Sequence, residues 1–163
     1  MALPDATAPQ ARLLTVNIND APPSNMGGVT IIPLFLDREN GVWVIYGKFA
    51  PGTTLPTHYH TGAVHFFTTK GRWNYLEHAE DPQTEGSYLY EPGGSAHTFS
   101  VPADAPEAAE GFMIVYGANV NFIDGQYLNI TDAASLEKMF ADAAKAGLMA
   151  MPKYFRPGGA SST

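Results

Sequence analysis

The chain has 163 residues, 45% of them hydrophobic and none of them cysteine, with a formal net charge of −7. These values fit one folded domain with its own core; they exclude disulfides and thiolate ligands, so any metal must be held by nitrogen and oxygen. Lys and Arg form no cluster that would attract nucleic acid or an anionic membrane. No run reaches the roughly 20 apolar residues of a membrane-spanning helix. The start, MALPDATAPQARLL, has no basic segment leading into an apolar stretch, so it does not read as a secretory signal. A soluble cytoplasmic protein is the expectation.

Residues 1–24, rich in Ala, Pro and Asp without periodicity, read as an extended N-terminal arm. GVTIIPLFLD (28–37) and GVWVIYGKFA (41–50) are predicted strands joined at Arg38-Glu39-Asn40, with Pro33 marking an edge or a bulge. PGTTLPT (51–57) turns the chain into HYHTGAVH (58–65). AVHFFTTKG and RWNYLEH then read as a hairpin pivoting at Lys70-Gly71. GSYLYEP (86–92), HTFSVPA (97–103) and GFMIVYGANVNFID (111–124) supply further strands, with ADAPEAAEG an exposed loop and QYLNI (126–130) one more short strand.

The one predicted helix begins at Thr131 or Asp132 and ends at Gly147. Leu136, Met139, Phe140, Ala143 and Ala144 share a face, opposite Glu137, Lys138, Asp142 and Lys145. MPKYFRPGGASST reads as a tail. Eight or more short strands divided by Gly/Pro turns make an all-β sandwich or small barrel, with the helix packed outside it. The expected organisation is therefore an arm (1–24), a β-barrel (25–130), and a C-terminal helix and tail (131–163).

Three of the five histidines lie in HYHTGAVH and a fourth, His97, in EPGGSAHTF. On a strand, His58 and His60 point to the same face and Tyr59 to the other, which places half of a metal shell. His97 is the best third ligand: EPGGSAH describes a strand end, a glycine turn and a histidine opening the next strand, and a hairpin of that shape can return it to the pair. His65 can face the same interior, although Gly62 breaks a simple parity argument. His78, among acidic residues, is expected to be exposed and functionally silent. HxH alone is weak evidence, because a structural pair is the commoner reading; the ordered context on both sides shifts the balance.

That context resembles the cupin superfamily. The first cupin motif is matched by Gly52, TTLPT, His58-Tyr59-His60, TGAV, His65, FFTTK and Gly71; the second by Gly86, SYLYE, Pro92-Gly93-Gly94, SA and His97. Two positions depart from the pattern: His65 stands where the first motif has glutamate, and Val101 where the second has asparagine. The resemblance implies a jelly-roll barrel whose metal site consists of imidazoles only, similar to cupin dioxygenases that bind iron through three histidines and cleave carbon–carbon bonds of dicarbonyl or hydroxyketone substrates. Most of residues 28–124 is most similar to the 2,4'-dihydroxyacetophenone dioxygenase family.

Carried over, the resemblance makes His58, His60 and His97 the ligands of Fe(II), and His65 a fourth ligand or a catalytic base beside the metal. Such sites also suit Zn, Ni or Cu. The partners implied are an aromatic ketone and O₂, the products a carboxylic acid and a shorter acid such as formate. Without a carboxylate the ion keeps its +2 charge and should attract an anionic chelate. Phe67, Trp73, Tyr75, Tyr90 and Phe99 are candidates for the substrate pocket, although core packing is the commoner role of such residues. Tyr88, Met113, Val115 and Tyr116 lie on neighbouring strands. Arg72 and Glu91 could steer or orient ligands, although a solvated surface charge is the commoner reading.

By analogy with cupins that pair through their outer sheets, a homodimer or higher homo-oligomer is expected. The alternatives are a β-diketone-cleaving dioxygenase and a non-catalytic metal- or ligand-binding sensor module like the cupin part of certain anti-sigma factors. Those factors carry a further helical segment, whereas here only the short arm precedes the barrel. A metal-dependent isomerase would prefer a carboxylate where His65 stands.

Overall fold

The computed structural model describes residues 15–22 and 27–157, so most of the expected arm and the last six residues of the tail lie outside the described residues. In chain order the strands are β1 (Val29–Asp37), β2 (Val42–Phe49), β3 (Thr57–His60), β4 (Val64–Lys70), β5 (Arg72–Tyr75), β6 (Gln83–Thr84), β7 (Tyr88–Glu91), β8 (Ala96–His97), β9 (Phe99–Ser100), β10 (Ala109–Tyr116), β11 (Asn119–Ile123) and β12 (Gln126–Thr131), followed by helix α1 (Ala133–Lys145). They form a five-stranded sheet in the order β1-β2-β10-β4-β7, a four-stranded sheet β12-β11-β3-β8 and a three-stranded sheet β6-β5-β9. The architecture is the all-β jelly roll with one C-terminal helix.

Alternation decides which side chains enter the barrel. Along β4, Val64, Phe66 and Thr68 are buried while Phe67, Thr69 and Lys70 are exposed. Pro33 lies on the edge strand β1, where the register shifts between Pro33 and Phe35, because a residue without an N–H interrupts the ladder.

Two predicted pairings and one predicted strand run are corrected. β4 and β5 are not a hairpin: β4 pairs with β10 and β7, β5 with β6 and β9. The chain leaves the large sheet at Gly71, whose φ of 72° and tight approach to Ala108 O, 2.4 Å from where a Cβ would stand, leave no room for a side chain. β7 and β8 likewise belong to different sheets, so the Pro92-Gly93-Gly94 turn is a crossover. The run 111–124 breaks at Gly117 (φ 89°) into β10 of the large sheet and β11 of the four-stranded one.

Two apolar clusters fill the interior. One joins Leu36, Trp43, Ile45, Val64 and Val115 to Leu136 and Phe140 of α1; the other joins Phe49, Phe66, Trp73, Phe99 and Val101. Each fully buried Leu or Phe stabilises the fold by about 1.5–3 kcal/mol. An Asp132/Ser135 capping box starts α1, and Gly147 follows its end with φ 72°.

Glu137 departs from its predicted exposed face. It is buried, and its carboxylate accepts from Arg156 (Nε, 2.6 Å) and from the Tyr154 hydroxyl (3.2 Å), with Arg38 at 3.5 Å. The segment carrying these partners runs along the free edge of β1, where the Leu36 N–H donates to Phe155 O and the Phe155 N–H to Leu34 O, both at 2.9 Å. Part of the predicted tail is thus an added edge to the large sheet.

Candidate metal centre

The inner face of the four-stranded sheet carries two rows of polar side chains. Register places His97, His58, Asn121 and Asn129 in one row, and His60, Asn119 and Thr131 in the next. His58, His60 and His97 are all buried, with ring centroids 4.8–5.3 Å apart. One ring nitrogen from each lies within 4.8 Å of the others, the scale of one ion's coordination shell.

The ligand state of His58 is prepared by its surroundings. Its Nδ1–H donates to Pro56 O at 2.9 Å, which leaves Nε2 as the free lone pair. Burial holds its imidazole down at about 4, so it is neutral near pH 7 and need not lose a proton to bind a metal.

Glu91 overturns the reading of an imidazole-only site. It is 3% exposed rather than solvated, and its Oε2 lies 3.0 Å from His60 Nε2 and 3.2 Å from His97 Nε2. The Tyr75 hydroxyl donates to the other oxygen, Oε1, at 2.5 Å, and the Tyr75 ring stacks on His97 with centroids 4.0 Å apart. Burial opposes the charge on Glu91. The close polar contacts of His60 and His97 with Oε2, the attraction of His60 and the Tyr75 hydrogen bond to Oε1 outweigh it and hold the carboxyl well below the usual carboxylate range. Burial, and then the Glu91 charge, push the Tyr75 hydroxyl far up, so it remains a donor.

The donor set fits a divalent cation. His60 Nδ1, Glu91 Oε2 and His97 Nε2 are buried without a hydrogen bond of acceptable geometry, although two of them face each other at 3.2 Å. Buried polar atoms are costly when left unpaired. An ion bound by imidazole and carboxylate would satisfy the converging atoms, and nitrogen and oxygen donors suit a first-row metal. Behind His97, the Thr98 N–H and hydroxyl both donate to Glu77 at 2.8 Å, tying β8 to the segment after β5.

Two cavities adjoin the histidines. The smaller, about 40 Å³, is lined by His58, His60, Tyr75 and Phe99. The larger, about 220 Å³, has an apolar wall including Trp43, Phe49 and Met113, facing a polar wall of Asn121 and Asn129. His58 and Asn119 line both.

The structure does not bring His65 to this centre. β4 opens with Val64 facing in, so parity turns His65 outward, where its Nδ1 hydrogen-bonds the Tyr88 hydroxyl at 2.7 Å. The same parity exposes Phe67, and Tyr90 lies beside His65 on that outer face, 55% exposed. Of the remaining pocket candidates, Tyr75 and Phe99 line the smaller cavity. Trp73 is fully buried beneath Phe99, its Nε1–H donating to Thr68 at 3.0 Å. His78 is exposed, and Arg72, also exposed, is 3.5 Å from Asp104. Glu91, Asn119 and Asn121 were not singled out as site residues from the sequence. For Glu91 a signal was present: period-two alternation puts it on the same face as Leu89, opposite Tyr88 and Tyr90.

Among the described residues, no helix is long and apolar enough to cross a membrane. Residues 12–119 match the family described as the ChrR cupin-like domain. No curated protein matches the chain. A protein of unknown function with a cupin-like fold from Ralstonia eutropha JMP134 is 39% identical; the alignment covers 96% of this chain and 99% of that one, with a TM-score of 0.85. An RmlC-like cupin protein from the same organism is 26% identical over 83% of this chain and 88% of its own, with a TM-score of 0.74. An acetylacetone dioxygenase from Acinetobacter johnsonii shares the fold at 20% identity, covering 85% and 96% of the two chains with a TM-score of 0.66.

Proposed function

The chain belongs to the ChrR cupin-like domain family, and on that premise we propose that it is a metal-dependent dioxygenase cleaving the carbon–carbon bond of an aryl hydroxyketone. The observation that carries this reading is the meeting of His58, His60, His97 and Glu91 beside a cavity with an apolar wall, which His58 lines. The shared fold with an acetylacetone dioxygenase supports the reaction class.

Divalent iron, when held by His58, His60 and His97, would supply electron transfer between a chelated substrate and O₂. The chain's own residues do the rest. Glu91 offsets one of the ion's two positive charges, which leaves a site suited to a monoanionic chelate such as a deprotonated hydroxyketone. Glu91 Oε2 is the ionised oxygen at the triad and can accept a hydrogen bond from a hydroxyl of the bound ketone. Tyr75 holds Oε1 in place. Trp43, Phe49 and Met113 exclude water and offer their surfaces to a ring. At about 220 Å³ the cavity is smaller than the roughly 300–1,000 Å³ of drug-sized pockets, so it suits a single-ring molecule. The balanced reaction joins one O₂ to one hydroxyketone and yields an aryl carboxylic acid and formic acid.

Two other readings have specific support. A metal- or ligand-binding module without catalysis is compatible with the match to the ChrR cupin-like domain, and the buried Glu91 supplies a carboxylate of the kind a metal-dependent isomerase would prefer. Anaerobic reconstitution with Fe(II), followed by oxygen-uptake measurement against aryl hydroxyketones and β-diketones, separates them. The expected result is one O₂ consumed per ketone, with formate released from hydroxyketones. Absence of uptake with every compound overturns the dioxygenase reading.

A further inference from the structure

We infer that Asn119 is a recognition residue whose side-chain oxygen accepts a hydrogen bond from a hydroxyl of the bound molecule, selecting hydroxylated ketones over ketones without a donor. The inference rests on the ketone reading proposed above and adds a specificity to it.

Asn119 Oδ1 is buried without a hydrogen-bond partner. Its neighbour on the same inner face has its amide nitrogen engaged: Asn121 Nδ2 donates to Asn129 Oδ1 at 2.7 Å and to Thr131 Oγ1 at 3.0 Å. Two amides on one wall thus differ in kind, one closed into a network and one left open. A buried acceptor without a donor is costly, and native proteins keep few of them.

The position of the open amide gives it a use. On β11, Asn119 stands opposite His60 of β3 in register. It lines the smaller cavity at the imidazoles and also the larger chamber. A molecule whose oxygens reach the triad while its body fills the chamber spans the region that Asn119 lines together with Phe49, Leu55, His58 and Met113. Around it in the smaller cavity, Phe49, Leu55, Phe66 and Phe99 leave His58, His60 and Tyr75 as the other polar lining; the histidines belong to the ligand set and the Tyr75 hydroxyl is bonded to Glu91. A hydroxyl carried in by the ligand supplies the missing donor. A ketone without one leaves the acceptor buried and unpaired, the situation in which polar sites discriminate best.

The test is isothermal titration of protein loaded with Zn(II), which supports no oxygen chemistry. The probes are acetophenone, 2-hydroxyacetophenone and 4'-hydroxyacetophenone, titrated into wild type and Asn119→Leu. The readout is the affinity ratio of each hydroxylated ketone to acetophenone. In wild type this ratio is expected to exceed that of the variant by roughly tenfold for one of the two hydroxyl positions. Chelation of the metal by the 2-hydroxyl survives the substitution, so only the change in ratio counts. Zinc content should not change, because the histidines and Glu91 are untouched. Asn119→Ala serves if the Leu variant does not fold. Ratios unchanged by substitution overturn the role of Asn119 and leave the ketone reading standing. Binding of none of the three ketones by zinc-loaded wild type overturns both.

Discussion

Glu91 Oε2 lies 3.0 Å from His60 Nε2, with both side chains almost entirely removed from solvent. A carboxylate and an imidazole at that distance either share a proton or share an ion. The unpaired Oε2 and the nearby His97 Nε2 favour the ion. Replacing Glu91 by Gln keeps the shape and removes the charge. Metal affinity is then expected to fall about 10- to 100-fold, as for the loss of a group supporting metal ligands. Competition titration with a chelating indicator measures it; undiminished affinity would show that the carboxylate does not act on the ion.

The histidines divide sharply by position. His97→Ala should abolish metal retention, because it removes one of three converging nitrogens. His78→Ala should leave retention intact, and so should His65→Ala, whose ring lies on the outer face against Tyr88. Elemental analysis after dialysis decides the matter. Equal retention in the His97 and His78 variants contradicts the ligand assignment, and loss in the His65 variant contradicts its placement.

Acid should weaken the metal-free protein before its carboxylates titrate. Burial lowers His58 to about 4 from 6.5, so the unfolded chain takes up a proton over this interval that the folded chain refuses. Stability is therefore full above pH 6.5 and declines as the pH falls toward 4, by about 3 kcal/mol in all. Burial opposes ionisation of Glu77 and Glu91, but their hydrogen bonds prevail and hold both below the ordinary 4.5, so they contribute to acid sensitivity only at lower pH. Urea midpoints between pH 6.5 and 5 should fall in wild type and stay nearly level in His58→Gln.

Glu137 holds the C-terminal segment to the barrel. Its partners Arg156 and Arg38 are partly exposed, with side chains 36% and 59% accessible, so solvent discounts the pairing. Glu137→Ala is expected to cost about 1–2 kcal/mol and to speed tryptic cleavage after Lys153. Cleavage at the wild-type rate would mean that the backbone bonds of Phe155 hold the segment unaided.

Local features of the fold were legible from local sequence. Alternation located β1 and β2, Pro33 marked an edge, and the HxH spacing placed His58 and His60 on one face. Pairings between distant segments were not legible. Nothing within 91–97 tells that the glycine turn carries the chain between sheets rather than back along one, because both use the same residues. His65 was misplaced because parity restarts after Gly62, and the restart point is set by Val64 entering the core. Glu91 and Glu137 were misread for a common reason. A carboxylate is normally solvated, and only the tertiary partners, His60 and His97 for one and Arg156 for the other, keep them inside.

The facing of His58 and His97 across adjacent strands also has a consequence for assembly of the barrel. Slippage of β3 by a single position would swing both of its imidazoles outward and bring Tyr59 in. An ion gripped from β3 and β8 together stabilises only the correct alignment, by the free energy of its binding. Metal capture would then proofread strand pairing, and loss of the ion would loosen the four-stranded sheet before the five-stranded one.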